Sequence, residues 1–236
     1  MVNHACADCA VRDSALCAAL NDDELDRLNR VGRRQKLAKG QTLQFAGDDS
    51  LVFANVVEGV LKLSTSTADG REQIVGLLYP ADFLGRLFAV RVDYDCTALT
   101  DADICVFPRK GFEAALNDFQ KLERSLLERT MAELDRTRQW MLLLGRKSAE
   151  EKVASFLLNI VDRLKPEGCA GRAADGPPTY VLPLTRGQIA DVLGLTIETV
   201  SRQMTRLKTA GVIALPSTRE VTILKPLALE ARAEAA

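Results

Sequence analysis

Histidine is almost missing from this sequence: His4 is the only one in 236 residues. There is no glycine-rich nucleotide fingerprint, no second cluster motif and no acid–base constellation, so the chain is expected not to be an enzyme. Long apolar runs are missing too. Those present are short, Met141–Leu144 for example, far below the roughly 18–20 residues a membrane-crossing helix needs. The opening residues, MVNHACADCA, lack the basic start, apolar core and cleavage pattern of a signal peptide. A cytoplasmic protein with no membrane partner is expected. No sign of charge predominates, since the net charge is −1. This neither supports nor excludes nucleic acid, which needs positive charge only on the face that meets phosphate.

Apolar residues are 47% and charged residues 27% of the chain, the composition of a folded soluble protein. The length fits one large domain or two smaller ones. Residues 1–20 form a cysteine-bearing arm. Asn21-Asp-Asp-Glu can cap a short helix running to about Val31. From Arg33 to Pro108, short apolar stretches (Thr42–Phe45, Leu51–Val57, Val60–Ser64, Gln73–Leu78, Ile104–Phe107) alternate with turn signals at Gly40, Gly47, Gly59, Gly70 and Pro80. That texture predicts an antiparallel barrel or sandwich over 21–109. From Lys110 to Gly145 no glycine or proline interrupts the chain between Phe112 and Leu144, and Leu127, Leu134 and Met141 recur every seven residues. One long helix over 110–145 is predicted, its seam pairing with a second copy. Thr130, Thr137 and Arg138 near the seam would make that pairing marginal. A capping box at Ser148 opens another helix to Leu164, followed by a loop rich in glycine and proline.

The last third, 146–236, carries the clearest pattern. Thr185 and Gln188 form a T-x-x-Q capping box, Gly194 supplies a tight turn, and Thr196 caps a second helix. Ile197, Val200, Met204 and Leu207 are expected to pack inward, leaving Glu198, Ser201, Arg202 and Thr205 outside. Two short helices across a glycine turn make a helix-turn-helix. Ile213–Leu215 and Glu220–Leu224 could add a small wing. Arg202 can donate two hydrogen bonds to guanine and Glu198 can accept from cytosine, with Ser201 beside them. Arg186, Thr196, Arg206 and Lys208 are candidates for phosphate contacts, which position without specifying. The bland alternative is a surface ion pair between Glu198 and Arg202.

Six cysteines remain: Cys6, Cys9, Cys17, Cys96, Cys105 and Cys169. In a reducing cytosol, clustered thiols point to metal or redox chemistry rather than disulfides. Cys6-x2-Cys9-x7-Cys17 is a compact thiolate cluster that needs a fourth ligand from elsewhere. Four thiolates suit zinc or an iron–sulfur cluster. The second local pair usual for zinc is absent.

The element order over residues 1–230 resembles the CRP/FNR family of regulators. The resemblance implies an α+β fold: an N-terminal β-roll like cyclic-nucleotide-binding domains, a long dimerisation helix and a C-terminal winged helix-turn-helix. Glu198-Thr-Val-Ser-Arg202 is similar to the E-x-x-S-R reading motif of the FNR branch, which implies palindromic DNA with TTGAT and ATCAA half-sites. The cysteine spacing resembles the alphaproteobacterial FNR-type arm. It implies a 4Fe–4S cluster on Cys6, Cys9, Cys17 and, by alignment, Cys105, with Cys96 as the rival fourth ligand. Cys169 and His4 are left as bystanders. The resemblance also implies an oxygen switch: the intact cluster favours a DNA-binding homodimer, oxygen dismantles it, and RNA polymerase is a further partner. Where cyclic-nucleotide binders carry a ribose-binding Glu and a phosphate-binding Arg with Ser or Thr, this chain has Arg86 and Asp95-Cys96. An acidic residue there repels phosphate, so no cyclic nucleotide is expected. Zinc or nitric oxide as the sensor chemistry, or an iron–sulfur redox protein, are the alternatives.

Overall fold

The structure, a computed structural model, describes residue 6 and residues 9–164 and 176–234. His4, Cys169 and most of the loop expected after Leu164 lie outside the described residues. The chain divides into two compact units, Met1–Asp135 and Arg136–Ala236. Among the described residues no helix is long and apolar enough to cross a membrane.

In the first unit the arm makes a short 3-10 turn at Leu16–Ala19 and leads into α1 (Asp22–Asn29). The expected cap is present and reciprocal: Asn21 accepts from the Glu24 N–H, and Glu24 accepts from the Asn21 N–H, both at 2.9 Å. Eight strands then build two antiparallel four-stranded sheets. One has the order β1 (Arg33–Leu37), β8 (Ala102–Pro108), β3 (Val52–Glu58), β6 (Phe83–Leu84). The other runs β2 (Thr42–Gln44), β7 (Asp95–Ala98), β4 (Leu61–Ser66), β5 (Glu72–Leu78). Alternation along the strands assigns each side chain to a face. Ala54, Val56, Ala102, Ile104 and Val106 point inward and meet Leu61, Cys96 and Ala98 of the opposite sheet. Phe53, Asn55, Cys105 and Phe107 take the other face, where Phe53 lies opposite Phe107 and Asn55 opposite Cys105. At Gly85 the backbone passes so close to the Phe53 ring that a Cβ would lie 2.0 Å from it, and φ is +149°. Only glycine fits there.

The helix expected over 110–145 is two helices, α2 (Arg109–Asp118) and α3 (Gln120–Arg146). The break falls at Phe119, whose backbone leaves the helical region at φ −120° and ψ 88°. That turn lets Phe119 bury its ring under the Arg27 guanidinium, 4.7 Å from the centroid, while Arg27 also pairs with Asp118. A cation–π contact and an apolar burial outweigh one helical hydrogen bond. α2 then packs Phe112 against Phe53, Phe83 and Phe107, with centroids 5.0–5.6 Å apart. Leu16, Leu25, Leu28, Leu116, Leu122 and Leu126 complete this second core on the outer face of the roll.

In the second unit, α4 (Ala149–Leu164) starts from the expected Ser148–Glu151 box. α5 (Arg186–Leu193) and α6 (Ile197–Thr209) follow across Gly194, whose φ of 61° makes it the left-handed end of α5. The wing is a three-stranded sheet ordered β10 (Ile213–Ala214), β11 (Glu220–Ile223), β9 (Thr179–Val181). A final helix, α7 (Pro226–Ala233), packs on α4. The roll, the long helix and the winged helix-turn-helix are those expected from the sequence.

A thiol-lined cavity and a candidate nucleic-acid interface

Cys6, Cys9, Cys17 and Cys105 line one cavity of about 300 Å³ between the arm, α1 and the outer face of β1, β8 and β3. The register explains how β8 contributes. Cys105 lies opposite Arg34 on β1 and Asn55 on β3, so these three form one row facing the arm. Cys96, the rival, is fully buried between the two sheets and does not line this cavity. The Asn55 amide donates to Cys17 Sγ at 3.5 Å. Arg34 donates to Cys9 Sγ at 3.6 Å. The guanidinium is held by a fork to Asp103, with Nε to Oδ1 at 3.0 Å and Nη2 to Oδ2 at 2.6 Å.

The thiols are not at ease as bare ions. Burial, followed by the neighbouring sulfurs, pushes Cys17 up to about 11 and Cys105 up to about 12. Cys6 is raised as well, by burial first and then by Cys9. Among the described residues, no three His, Cys, Asp or Glu side chains converge closely enough for a single metal ion. The four sulfurs are instead spread around a volume.

Arg86, one of the residues compared above with cyclic-nucleotide binders, pairs with Asp93. Asp95 accepts from the Ala46 N–H at 2.7 Å.

On α3, Leu127, Leu134 and Met141 are exposed by 59, 41 and 69%. Met131, which the seven-residue spacing passes over, is exposed by 48% and lies between the first two. Thr130 turns its hydroxyl back to the Leu126 carbonyl at 2.8 Å. Arg129 donates to the Ala81 carbonyl at 3.3 Å and to the Ser14 carbonyl. It thereby ties the helix to the arm between Cys9 and Cys17, a connection invisible in the sequence because 115 residues separate the partners.

α6 presents Glu198 and Arg202 to solvent with Ser201 half-buried beside them. Glu198 and Arg202 form no salt bridge with each other. Arg202 instead makes a long contact to the Thr199 hydroxyl at 3.5 Å. The Glu198 carboxyl is held below its usual range by its own backbone N–H, in the first turn of α6, and then by the Thr196 hydroxyl. One expectation needs correcting. Ile197 is 53% exposed rather than packed inward, because it stands in the first turn, over Gly187 of α5 (3.5 Å to the Cβ position), before the helix enters the core. Gln203, next to Met204 in the chain, is buried as well. Of the phosphate candidates, Arg206 and Lys208 are exposed. Thr196 uses its hydroxyl as the cap of α6. Arg186 is half-buried, its pKa lowered by burial, and its Nη1 has no partner.

A model of the Crp-like helix-turn-helix domain matches residues 151–232, and a model of the cyclic nucleotide-binding domain matches residues 34–119. The transcriptional activator protein FnrL of Cereibacter sphaeroides is 46% identical over 220 residues, 93% of this chain and 88% of that protein. The nitrogen fixation regulation protein FixK of Bradyrhizobium diazoefficiens is 40% identical over 232 residues, 98% and 95% of the two chains. The structure of FixK2 from Bradyrhizobium japonicum superposes with a TM-score of 0.78 at 30% identity, covering 87% of this chain and 99% of its own. The chain belongs to the Crp/FNR family. It is a DNA-binding transcription regulator and not an enzyme, and the roll is the family's cyclic-nucleotide-binding fold. As a Crp/FNR regulator it carries two features the sequence did not disclose, the Arg34–Cys105–Asn55 row and the Arg129 tie. Both depend on strand register or tertiary contact and leave no local motif.

Proposed function

We propose that this regulator is an oxygen-responsive transcriptional activator whose DNA binding is governed by a 4Fe–4S cluster on Cys6, Cys9, Cys17 and Cys105. The observation that carries this reading is that these four thiols, and no other described cysteine, line one cavity. Four thiols suit an iron–sulfur cluster, and the second local cysteine pair usual for zinc is missing from the sequence. When bound, such a group supplies an oxygen-labile centre whose charge holds the thiols as thiolates. The chain's own residues do the rest. Cys6, Cys9 and Cys17 belong to the arm and Cys105 to the rigid sheet, so a shared group pins one to the other. Arg129 hands the arm's position to α3 through Ser14. The exposed apolar stripe Leu127, Met131, Leu134 and Met141 pairs with a second copy.

In the dimer, two α6 helices read half-sites roughly 34 Å apart. Glu198, Ser201 and Arg202 touch base edges of a TTGAT-N4-ATCAA type site, while Arg186, Thr196, Arg206 and Lys208 meet phosphates. RNA polymerase is the further partner of an activator. Cyclic nucleotide is not the effector: Asp95 offers a phosphate a like charge, and the space between the sheets is filled by Leu37, Val56, Leu61 and Ile104.

The test is to purify the protein without oxygen and follow its visible absorption and its mobility shift on that duplex, before and after admitting air. A coloured protein that bleaches and releases DNA together supports the reading. A colourless protein that binds equally in both gases overturns the cluster switch and leaves the DNA reader intact.

A further inference from the structure

Two polar side chains stand against the cysteine sulfurs without being ligands. On the outer face of β3, Phe53 and Val57 flank Asn55, and both are buried and apolar. Asn55 is only 2% exposed, and its Oδ1 has no hydrogen-bond partner. An orphaned amide oxygen inside a protein is costly. An apolar residue would fill that place without the cost, so packing does not account for asparagine. Its other end does: Nδ2 donates to Cys17 Sγ at 3.5 Å. Arg34 repeats the arrangement across β8. Its guanidinium reaches Cys9 Sγ at 3.6 Å while the Asp103 fork fixes its orientation. Asp103 and Cys105 are two residues apart on one face of β8, so one strand supplies both a thiol and the anchor of the group that supports another thiol.

We propose that Arg34 and Asn55 are the positioning residues of the thiol site, donating N–H groups to the sulfurs of Cys9 and Cys17 and so setting how firmly the site keeps a bound metal–sulfur group. This rests on the cluster reading of the cavity. A thiolate sulfur only accepts hydrogen bonds, and the two donors face two of the three arm sulfurs. N–H donation spreads thiolate charge, and hydrogen bonds to ligand sulfurs raise the potential of an iron–sulfur centre. Removing them makes the centre easier to oxidise. Arg34 also brings a full positive charge to the mouth of a site that gathers several negative ones, oriented by a carboxylate as the partners of metal ligands commonly are.

The experiment compares full-length wild type with Asn55→Leu, Arg34→Leu and Arg34→Lys, each purified without oxygen. Bound iron and sulfide, the midpoint potential by dye titration and the rate of bleaching in air are measured, with thermal unfolding of the metal-free proteins as a check on folding. Asn55→Leu and Arg34→Leu are expected to bleach about tenfold faster, the low end for loss of a group that supports metal ligands. Both should show a lower potential, with Arg34→Lys restoring most of the effect. Arg34 lies at the rim, so its variants keep the proposal testable even if Asn55→Leu does not fold. Bleaching rates and potentials equal to wild type overturn the proposal while leaving the cluster in place. A change in only one of the two Leu variants overturns the assignment of the other residue. A wild type without iron and sulfide overturns the cluster reading itself and the proposal with it.

Discussion

The thiol cavity and the recognition helix are built in opposite ways. In α6 the backbone is finished: Thr196 caps it, Val200, Met204 and Leu207 are buried, and Glu198 and Arg202 stand in solvent with partners only within their own helix and its cap. It is a preformed surface awaiting a ligand that adds contacts. In the cavity Cys17, Cys105 and Asn55 lie inside the protein, the thiols raised by burial and the amide oxygen without a partner. In the proposed reading, a ligand there meets groups already drawn inside the protein. Loss at the helix should therefore be graded, and loss at the cavity close to all-or-none.

The sharpest test of that contrast exchanges two cysteines on neighbouring faces. Cys105→Ser should lose nearly all bound iron and sulfide, whereas Cys96→Ser should keep both, since Cys96 lies between the sheets. The reverse result would break the comparison. Next in size is the aromatic support beneath the cavity. Phe112→Ala should cost about 3–5 kcal/mol in urea unfolding, as large-to-small changes at fully buried aromatic sites do. A loss below about 1 kcal/mol would mean that the second core does not carry the outer face. At the helix the effect should be smaller and sequence-dependent. Arg202→Ala and Glu198→Ala should each remove about 1–3 kcal/mol of discrimination at one base pair, read from titrations against duplexes altered there. Uniform weakening on all duplexes would make them phosphate contacts instead.

The smallest effect concerns pH. Burial pushes Cys96 up to about 12 from 9.0 in the unfolded chain. The stability it contributes is complete below pH 9.0 and is lost as pH rises towards 12, because the unfolded state sheds its proton first. Cys96→Ala should flatten the fall in stability above about pH 9. An unchanged slope would place that thiol in a wetter site.

The same contrast explains what the sequence disclosed. The helix-turn-helix is written in local signals: a capping box at Thr185, a left-handed glycine at 194, and apolar spacing at Val200, Met204 and Leu207. Ile197 was misassigned because spacing alone cannot tell that the first turn precedes the core. The arm's spacing, Cys6-x2-Cys9-x7-Cys17, was equally local. The fourth thiol was not. β1 (Arg33–Leu37) has almost no strand pattern in its sequence RRQKL and is held by pairing with β8. The break at Phe119 hides in a segment free of glycine and proline, since its cause is Arg27, far away in sequence. β7 is four residues, and β9 is three, too short for any period to show.

The most direct test of the central claim is the amount of iron and acid-labile sulfide per chain in protein purified without oxygen. The account predicts about four of each, falling on exposure to air together with affinity for the palindromic duplex. A single zinc ion per chain, or no metal with undiminished DNA binding, would contradict it.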